Sequence, residues 1–181
     1  MKLPIGLLQR AGPLPVVLGF TDGLLTALTL AAGRLTTAEQ GVTAGLALRI
    51  AAGAFASGAF VFFVARYAQL RGELIRAERQ LNLTSHGRLA ASTLGMVVLR
   101  EGLFSAFISS VASFLGALVP LLVAAGFPHY RWVSIVAAET TLALLGGGLA
   151  HSLHGRPFSW AVGLVLGGGA LSLIGAYLRI V

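Results

Sequence analysis

The stretch VVLGFTDGLL, residues 16–25, decides the fold because it places an aspartate inside a long apolar run. The run extends from about Leu14 to the AAG at 31–33. That is close to the length of about 20 residues that a helix needs to cross a bilayer. A charged side chain at the bilayer centre costs at least about 2.5 kcal/mol, so such residues usually mark functional sites. Asp22 is therefore a candidate functional residue.

The composition indicates an integral membrane protein. Of the 181 residues, 56% are hydrophobic and 10% are charged, whereas a soluble domain carries about 25% charged residues. The chain has no cysteine, which excludes disulfides and thiolate sites. We find no nucleophile triad, phosphate loop or haem motif, and we expect neither an enzyme nor a bound cofactor. The net charge of +7 comes with no nucleic-acid motif, so we interpret it as a topology signal and expect no nucleic-acid partner.

The apolar blocks predict one all-α membrane domain over residues 1–181, a bundle of five transmembrane helices. The predicted spans are 14–33, 42–66, 102–126, 132–150 and 160–177. Barrel strands would be about half as long and would alternate in polarity. Residues 67–101 are predicted to form a short cytoplasmic helical arm, because apolar residues recur there at helical spacing, at Leu70, Leu74, Ala77 and Leu81.

The distribution of basic residues predicts the orientation. With a cytoplasmic N-terminus, three arginines lie outside, namely Arg34, Arg131 and Arg179. Nine basic residues then lie inside: Lys2, Arg10, Arg66, Arg71, Arg76, Arg79, Arg88, Arg100 and Arg156. This excess follows the positive-inside rule. We expect a multi-pass protein, in the plasma (inner) membrane if the host is prokaryotic.

Three charged residues fall within the spans: Asp22, Arg49 and Glu139. Arg49 and Glu139 each lie seven residues from the outer end of their spans, about 10 Å deep at 1.5 Å per residue. Asp22 lies about 16 Å deep on the same scale. Because their depths match, we expect Arg49 to pair with Glu139, which leaves Asp22 free. If Arg49 instead pairs with Asp22, any cation path is blocked.

Small and hydroxylated residues share helix faces with these charges. Asp22, Thr26 and Thr29 lie on one face of the first helix, and Ser57 lies near the stripe that begins at Arg49. The third helix carries a comparable stripe, Ser105, Ser109, Ser113, Gly116 and Pro120. Such stripes are typical of close helix packing, and they are also compatible with a polar path. For the serine and glycine positions alone we favour packing.

Four stretches, taken in order, resemble the vacuolar iron transporter family, which includes nodulin-like plant members. GFTDGLLTALTLAAG is similar to the first-helix motif of that family, and AAGAFASGA to the start of its second helix. ASFLGALVPLL resembles the third helix with its Gly-x-x-x-Pro, and LALLGGGLAHSLHGRPFSWAVGLVLGGGALSLIGAYL the last two helices. The likeness covers essentially the whole chain.

The resemblance implies a homodimer of five-helix subunits in a lipid bilayer. It also implies a path for iron(II) or manganese(II) at the dimer axis, with protons exchanged in return. Asp22 matches the metal and proton site of the family's first helix. The expected transport path comprises Asp22, Thr26, Arg49, Ser57 and Glu139, with Asp22 as the metal ligand. We expect the first two helices near the dimer axis, with small faces around Gly19, Gly33, Gly53 and Gly58.

The chain also departs from the family pattern. The family's second helix usually carries a Ser-Met pair with an acidic residue nearby. Here Ala56 and Ser57 occupy the Ser-Met positions, and Arg49 and Val61 occupy the acidic ones. The glutamate-rich cytoplasmic domain of many members is missing. Two alternatives therefore stay open: a degenerate member that acts as a non-transporting structural or accessory subunit, and a transporter of an anionic substrate attracted by Arg49.

Overall fold

The computed structural model describes residues 14–36, 43–80, 93–127, 130, 132–152 and 156–178. Over these residues the chain forms five α-helices and no strand. The helices are α1 (Leu14–Thr36), α2 (Ala44–Gln80), α3 (Thr93–Gly126), α4 (Val133–Ser152) and α5 (Pro157–Leu178). Each is long and apolar enough to cross a membrane, so the all-helical, five-span prediction is confirmed at this level.

Two of the helices are longer than their predicted spans. α2 has 37 residues and runs without a break to Gln80, while α3 has 34 residues and begins at Thr93. A helix of about 20 residues already crosses the hydrocarbon core. Both helices are therefore long enough to extend beyond a bilayer. The additional length lies at the C-terminal end of α2 and at the N-terminal end of α3.

α1 is the central helix, because it packs against all four of the others. α2 packs against α1 and α3, and α4 packs against α5, α1 and α3. One buried apolar cluster joins α1 to α4 through Leu24, Leu28, Ala138 and Leu142. A second cluster joins α1, α2 and α3 through Ala27, Ala47 and Leu121. The bundle thus has two sides, α2–α3 and α4–α5, with α1 between them.

Glycines bring the backbones of α1 and α3 into direct contact. A Cβ atom built on Gly19 or Gly23 would overlap the backbone carbonyl of Ser109 or Ser113, and one on Gly116 would overlap that of Phe20. Only glycine allows so close an approach. The serine stripe of α3 is buried along this contact, as are Gly116 and Pro120, which agrees with its predicted role in packing.

This packing changes the expectation for the dimer interface. Gly19 already contacts the backbone of α3 within the chain. The Ser113 side chain fills the space beside Gly58 and lies 3.4 Å from a Cβ atom built there. Gly53 is exposed, and a Cβ there meets no atom within 4 Å. Of these three glycines, only Gly53 lies on a surface that a second copy could cover.

Candidate cation site

The side chain of Asp22 is held at the contact of three helices. Ser113 Oγ on α3 lies 3.0 Å from Asp22 Oδ2, to which it can donate a hydrogen bond. The same hydroxyl lies 3.3 Å from the backbone carbonyl oxygen of Ala54 on α2. A serine hydroxyl has one proton to donate, so Ser113 can donate either to the Asp22 carboxylate or to the Ala54 carbonyl. Ser113 thereby links α1, α2 and α3 at one point.

Further oxygen atoms lie next to this junction. Ser57 Oγ donates to the carbonyl oxygen of Ala54 at 3.3 Å, which connects the predicted path residue Ser57 to Asp22 through Ala54 and Ser113. Thr26 Oγ1 donates to the backbone carbonyl of Asp22 at 2.9 Å, so its lone pairs remain free to accept. Asp22 Oδ2, Ser113 Oγ and the Ala54 carbonyl oxygen thus form an all-oxygen cluster, with the Ser57 hydroxyl bonded to the same carbonyl and Thr26 one turn from Asp22 on α1.

A small cavity lies one helical turn from this cluster. Its volume is about 110 Å³, and its lining includes Ser105 and Ser109 of the α3 stripe together with Arg66 and Gln69 of α2. Ser109 Oγ donates to the backbone carbonyl of Pro15 at 2.9 Å. Ser109 and Ser113 are successive residues on the same face, about 6 Å apart along the axis. Ser109, which lines the cavity, and Ser113, which bonds Asp22, thus lie one turn apart on the same face of α3.

A salt bridge lies at this cavity. Arg66 Nη2 donates to Glu101 Oε1 at 2.8 Å, with the two side chains 25% and 27% exposed. Arg66 Nη1 also donates to Gln69 Oε1 at 3.2 Å. The predicted topology places this pair at the cytoplasmic end of the bundle, where it fixes the position of α2 relative to α3.

The predicted pair between Arg49 and Glu139 is not formed within the subunit. Arg49 lies on the exposed side of α2, and the only salt bridge among the described residues is that of Arg66 with Glu101. The reason is the packing order: α2 lies against α1 and α3, whereas Glu139 on α4 faces Gly168 of α5. Equal depth in the bilayer does not make two helices neighbours.

Arg49 does not pair with Asp22 either. The arrangement that would block the carboxylate is therefore absent within one subunit. Because Arg49 shares the exposed side of α2 with Gly53 and Ser57, it stays near the candidate site without occupying it.

Sequence reasoning missed the role of Ser113. The sequence predicts a packing role for Ser113 together with its neighbours and does not indicate its contact with Asp22. A signal was present, since a hydroxyl in a membrane helix needs a partner and Asp22 is an unpaired acceptor. Which of the three serines meets Asp22 depends on how far α3 is shifted along α1, which the pattern does not specify.

The described residues contain no group of three or more histidine, cysteine, aspartate or glutamate side chains that could hold a metal ion. Within one subunit the oxygen cluster thus has a single carboxylate. Comparisons with protein-family models, curated proteins and solved structures found no match. The resemblance to the vacuolar iron transporter family therefore stays a prediction based on the quoted motifs.

Proposed function

We propose that this chain is a multi-pass membrane transporter of divalent metal ions, iron(II) or manganese(II), which exchanges protons for the metal. The observation that carries the proposal is the position of Asp22. The Asp22 carboxylate accepts a hydrogen bond from a serine at a three-helix junction inside an apolar bundle, and Ser109, one turn from that serine, lines a cavity. A charge so placed is costly unless it serves an ion.

The chemistry of the cluster suits a hard cation. Carboxylate, hydroxyl and carbonyl oxygens are the ligands that Mg²⁺, Ca²⁺ and Mn²⁺ prefer, and the described residues of this cluster contain no sulfur. Asp22 supplies the negative charge, while Thr26, Ser57 and the Ala54 carbonyl supply neutral oxygens nearby. A set of ligands with one carboxylate and several neutral oxygens binds a cation weakly enough to release it, and transport requires this release.

We further propose that the working unit is a homodimer. One subunit supplies a single carboxylate, so a second copy is needed to build a site with more than one. The exposed side of α2 is the surface best suited to that contact, because Gly53 allows close approach and Ser57 lies beside it. Packing of a second copy there would also cover Arg49, whose charge otherwise faces hydrocarbon.

One observation favours the alternative of a non-transporting structural or accessory subunit. The described residues hold no acidic cluster, and Ser113 already satisfies one oxygen of Asp22. Under this alternative the contact between Asp22 and Ser113 joins three helices and binds no ion.

Metal uptake by proteoliposomes tests the proposal, with iron(II), manganese(II), cobalt(II) and zinc(II) measured in parallel. We expect uptake of iron(II) or manganese(II) by the wild type and its loss in Asp22→Asn, which keeps the shape and removes the charge. Thr21→Ala is a matched control, because Thr21 Oγ1 bonds only to its own helix at the Val17 carbonyl. If the wild type moves neither metal, or if Asp22→Asn moves both as well as the wild type, the alternative replaces the proposal.

A further inference from the structure

A second carboxyl group, Glu139, lies in a recess between α4 and α5. A Cβ atom built on Gly168 of α5 would lie 3.0 Å from both carboxyl oxygens of Glu139 and 2.7 Å from Leu142 Cδ1. The absence of a side chain at Gly168 is therefore what makes room for the carboxyl group. Glu139 Oε2 is buried there and has no hydrogen-bond partner among the described residues.

Among the described side chains, no charged group forms a salt bridge with Glu139, and the side chain of Arg34, near the end of α1, lies outside the described ones. On α1 the acidic residue is Asp22, which is turned to Ser113 on α3. On α3 the charged residues are Arg100 and Glu101, near the start of the helix, and Glu101 is paired with Arg66. Around α5 the titratable groups are Arg156, which precedes the helix, and Tyr177, both exposed. The next titratable residue of α4 is His151, about three turns further along the sequence.

The described neighbours of Glu139 on α4 and α5 include apolar residues and one hydroxyl. Leu142, one turn along α4, belongs to the buried cluster with Leu24 and Leu28 of α1. Ser172 lies one turn beyond Gly168 on the same side of α5, and its Oγ is also buried without a partner among the described residues. An isolated ionised carboxylate in such surroundings is so costly that the group takes up a proton instead.

We propose that Glu139 is a proton-binding site in the α4–α5 recess, separate from the cation site at Asp22. Its ligand is a single proton, which converts the carboxylate to a neutral carboxylic acid, and Gly168 provides the space that holds the acid between the helices. The leucine cluster of α1 and α4 separates this recess from the oxygen cluster on the other side of α1. The geometry that supports this site does not depend on metal transport. If the chain also transports metal as proposed above, Glu139 binds the exchanged proton at a position that the metal does not occupy.

Labelling with N,N′-dicyclohexylcarbodiimide tests this proposal, because the apolar reagent adds to protonated carboxyl groups within membranes. The wild-type protein in lipid nanodiscs is treated at mildly acidic and at alkaline pH, and the adduct is located by peptide mass spectrometry. We expect one adduct per chain at Glu139 that is lost at alkaline pH. Glu139→Gln abolishes it, and Asp22→Asn retains it.

Two glycine variants provide a matched pair. Gly168→Ala forces the carboxyl group or the Leu142 side chain to move, so the pH dependence of labelling shifts. Gly167→Ala, whose Cβ meets no atom within 4 Å, leaves it unchanged. The proposal is overturned if the wild type is not labelled at acidic pH, if the adduct lies on Asp22, or if both glycine variants behave alike. None of these readouts requires metal flux, so the proton site and the metal path are tested separately.

Discussion

Asp22 and Glu139 are both carboxyl groups within helices long enough to cross a membrane, yet the helices around them pack in different ways. On the Asp22 side, α1 meets α3 backbone to backbone, and a serine hydroxyl donates to the carboxylate. On the Glu139 side, α1 meets α4 through leucines, and the buried carboxyl oxygen has no donor among the described residues. α1 separates the two environments.

Under the two proposals, the same side-chain chemistry takes on different roles according to the hydrogen-bond donors around it. A carboxylate that accepts a hydrogen bond keeps its negative charge at lower cost and remains able to attract a cation. A carboxyl group without donors in an apolar recess is stable only as the neutral acid. The four stability predictions below test whether the two sides differ as described.

The largest effect is expected where α1 and α3 touch. Gly23→Ala drives a methyl group into the backbone carbonyl of Ser113, and a backbone cannot move aside as a side chain can. We expect a loss of about 3 kcal/mol in the free energy of unfolding, the upper end for overpacking. Titration with SDS in mixed micelles measures it.

Gly53→Ala is the control for this substitution, because its Cβ meets no atom within 4 Å in the subunit. It should leave the stability of the monomer unchanged and weaken only a dimer that uses this side of α2. Equal effects of the two substitutions would contradict the description of a tight α1–α3 contact.

The next effect is expected at the hydrogen bond that distinguishes the two carboxyl groups. Ser113→Ala removes the donor to the Asp22 carboxylate, which costs about 2 kcal/mol of unfolding free energy, whereas the Ala54 carbonyl keeps its hydrogen bond from Ser57. Ser110→Ala is the matched control, since Ser110 is equally buried and its Oγ bonds only to the Ala106 carbonyl of its own helix. Thermal unfolding in detergent should separate the two variants clearly.

A smaller effect is expected at the cavity on the Asp22 side. Arg66→Ala breaks the salt bridge with Glu101, whose side chains are about a quarter exposed. Solvent screening limits such pairs to about 1 kcal/mol at most. A double-mutant cycle with Glu101→Gln, measured by SDS titration, gives the coupling energy directly. A coupling that does not weaken with added salt would show that the pair is less accessible to solvent than its exposure indicates.

The smallest effect is expected at Glu139. Glu139→Gln replaces a neutral acid with a neutral amide of the same shape, so the free energy of unfolding at neutral pH should change by no more than about 0.5 kcal/mol. If Glu139 were instead ionised and bound to a cation, the substitution would destabilise the protein much more. Unfolding at neutral and at alkaline pH distinguishes these cases.

The helices themselves could be predicted because apolar runs of sufficient length leave few alternatives in a membrane. The burial of the α3 stripe also followed from the spacing of Ser105, Ser109 and Ser113. The pairing of charges could not be predicted, because depth along a helix says nothing about which helices are neighbours. Arg49 and Glu139 match in depth and still lie on opposite sides of the bundle.

The environment of Glu139 could not be predicted from the sequence either. Its recess depends on Gly168, which is 29 positions away along the chain, and on the contact between α4 and α5 that brings the two residues together. Glycine triplets such as 167–169 predict close packing but do not show which of the three faces a carboxyl group. That choice is made by the rotation of α5 about its own axis.

The length of α2 has a mechanical consequence. Its 37 residues span about 55 Å as one unbroken helix. Ala54 touches Ser113 at the candidate site, while Gln80 lies about 39 Å further along and Arg66 about 18 Å along. Because the helix is unbroken, any tilt of α2 about Ala54 would displace the Gln80 end about twice as far as Arg66, and the salt bridge of Arg66 with Glu101 opposes such a tilt.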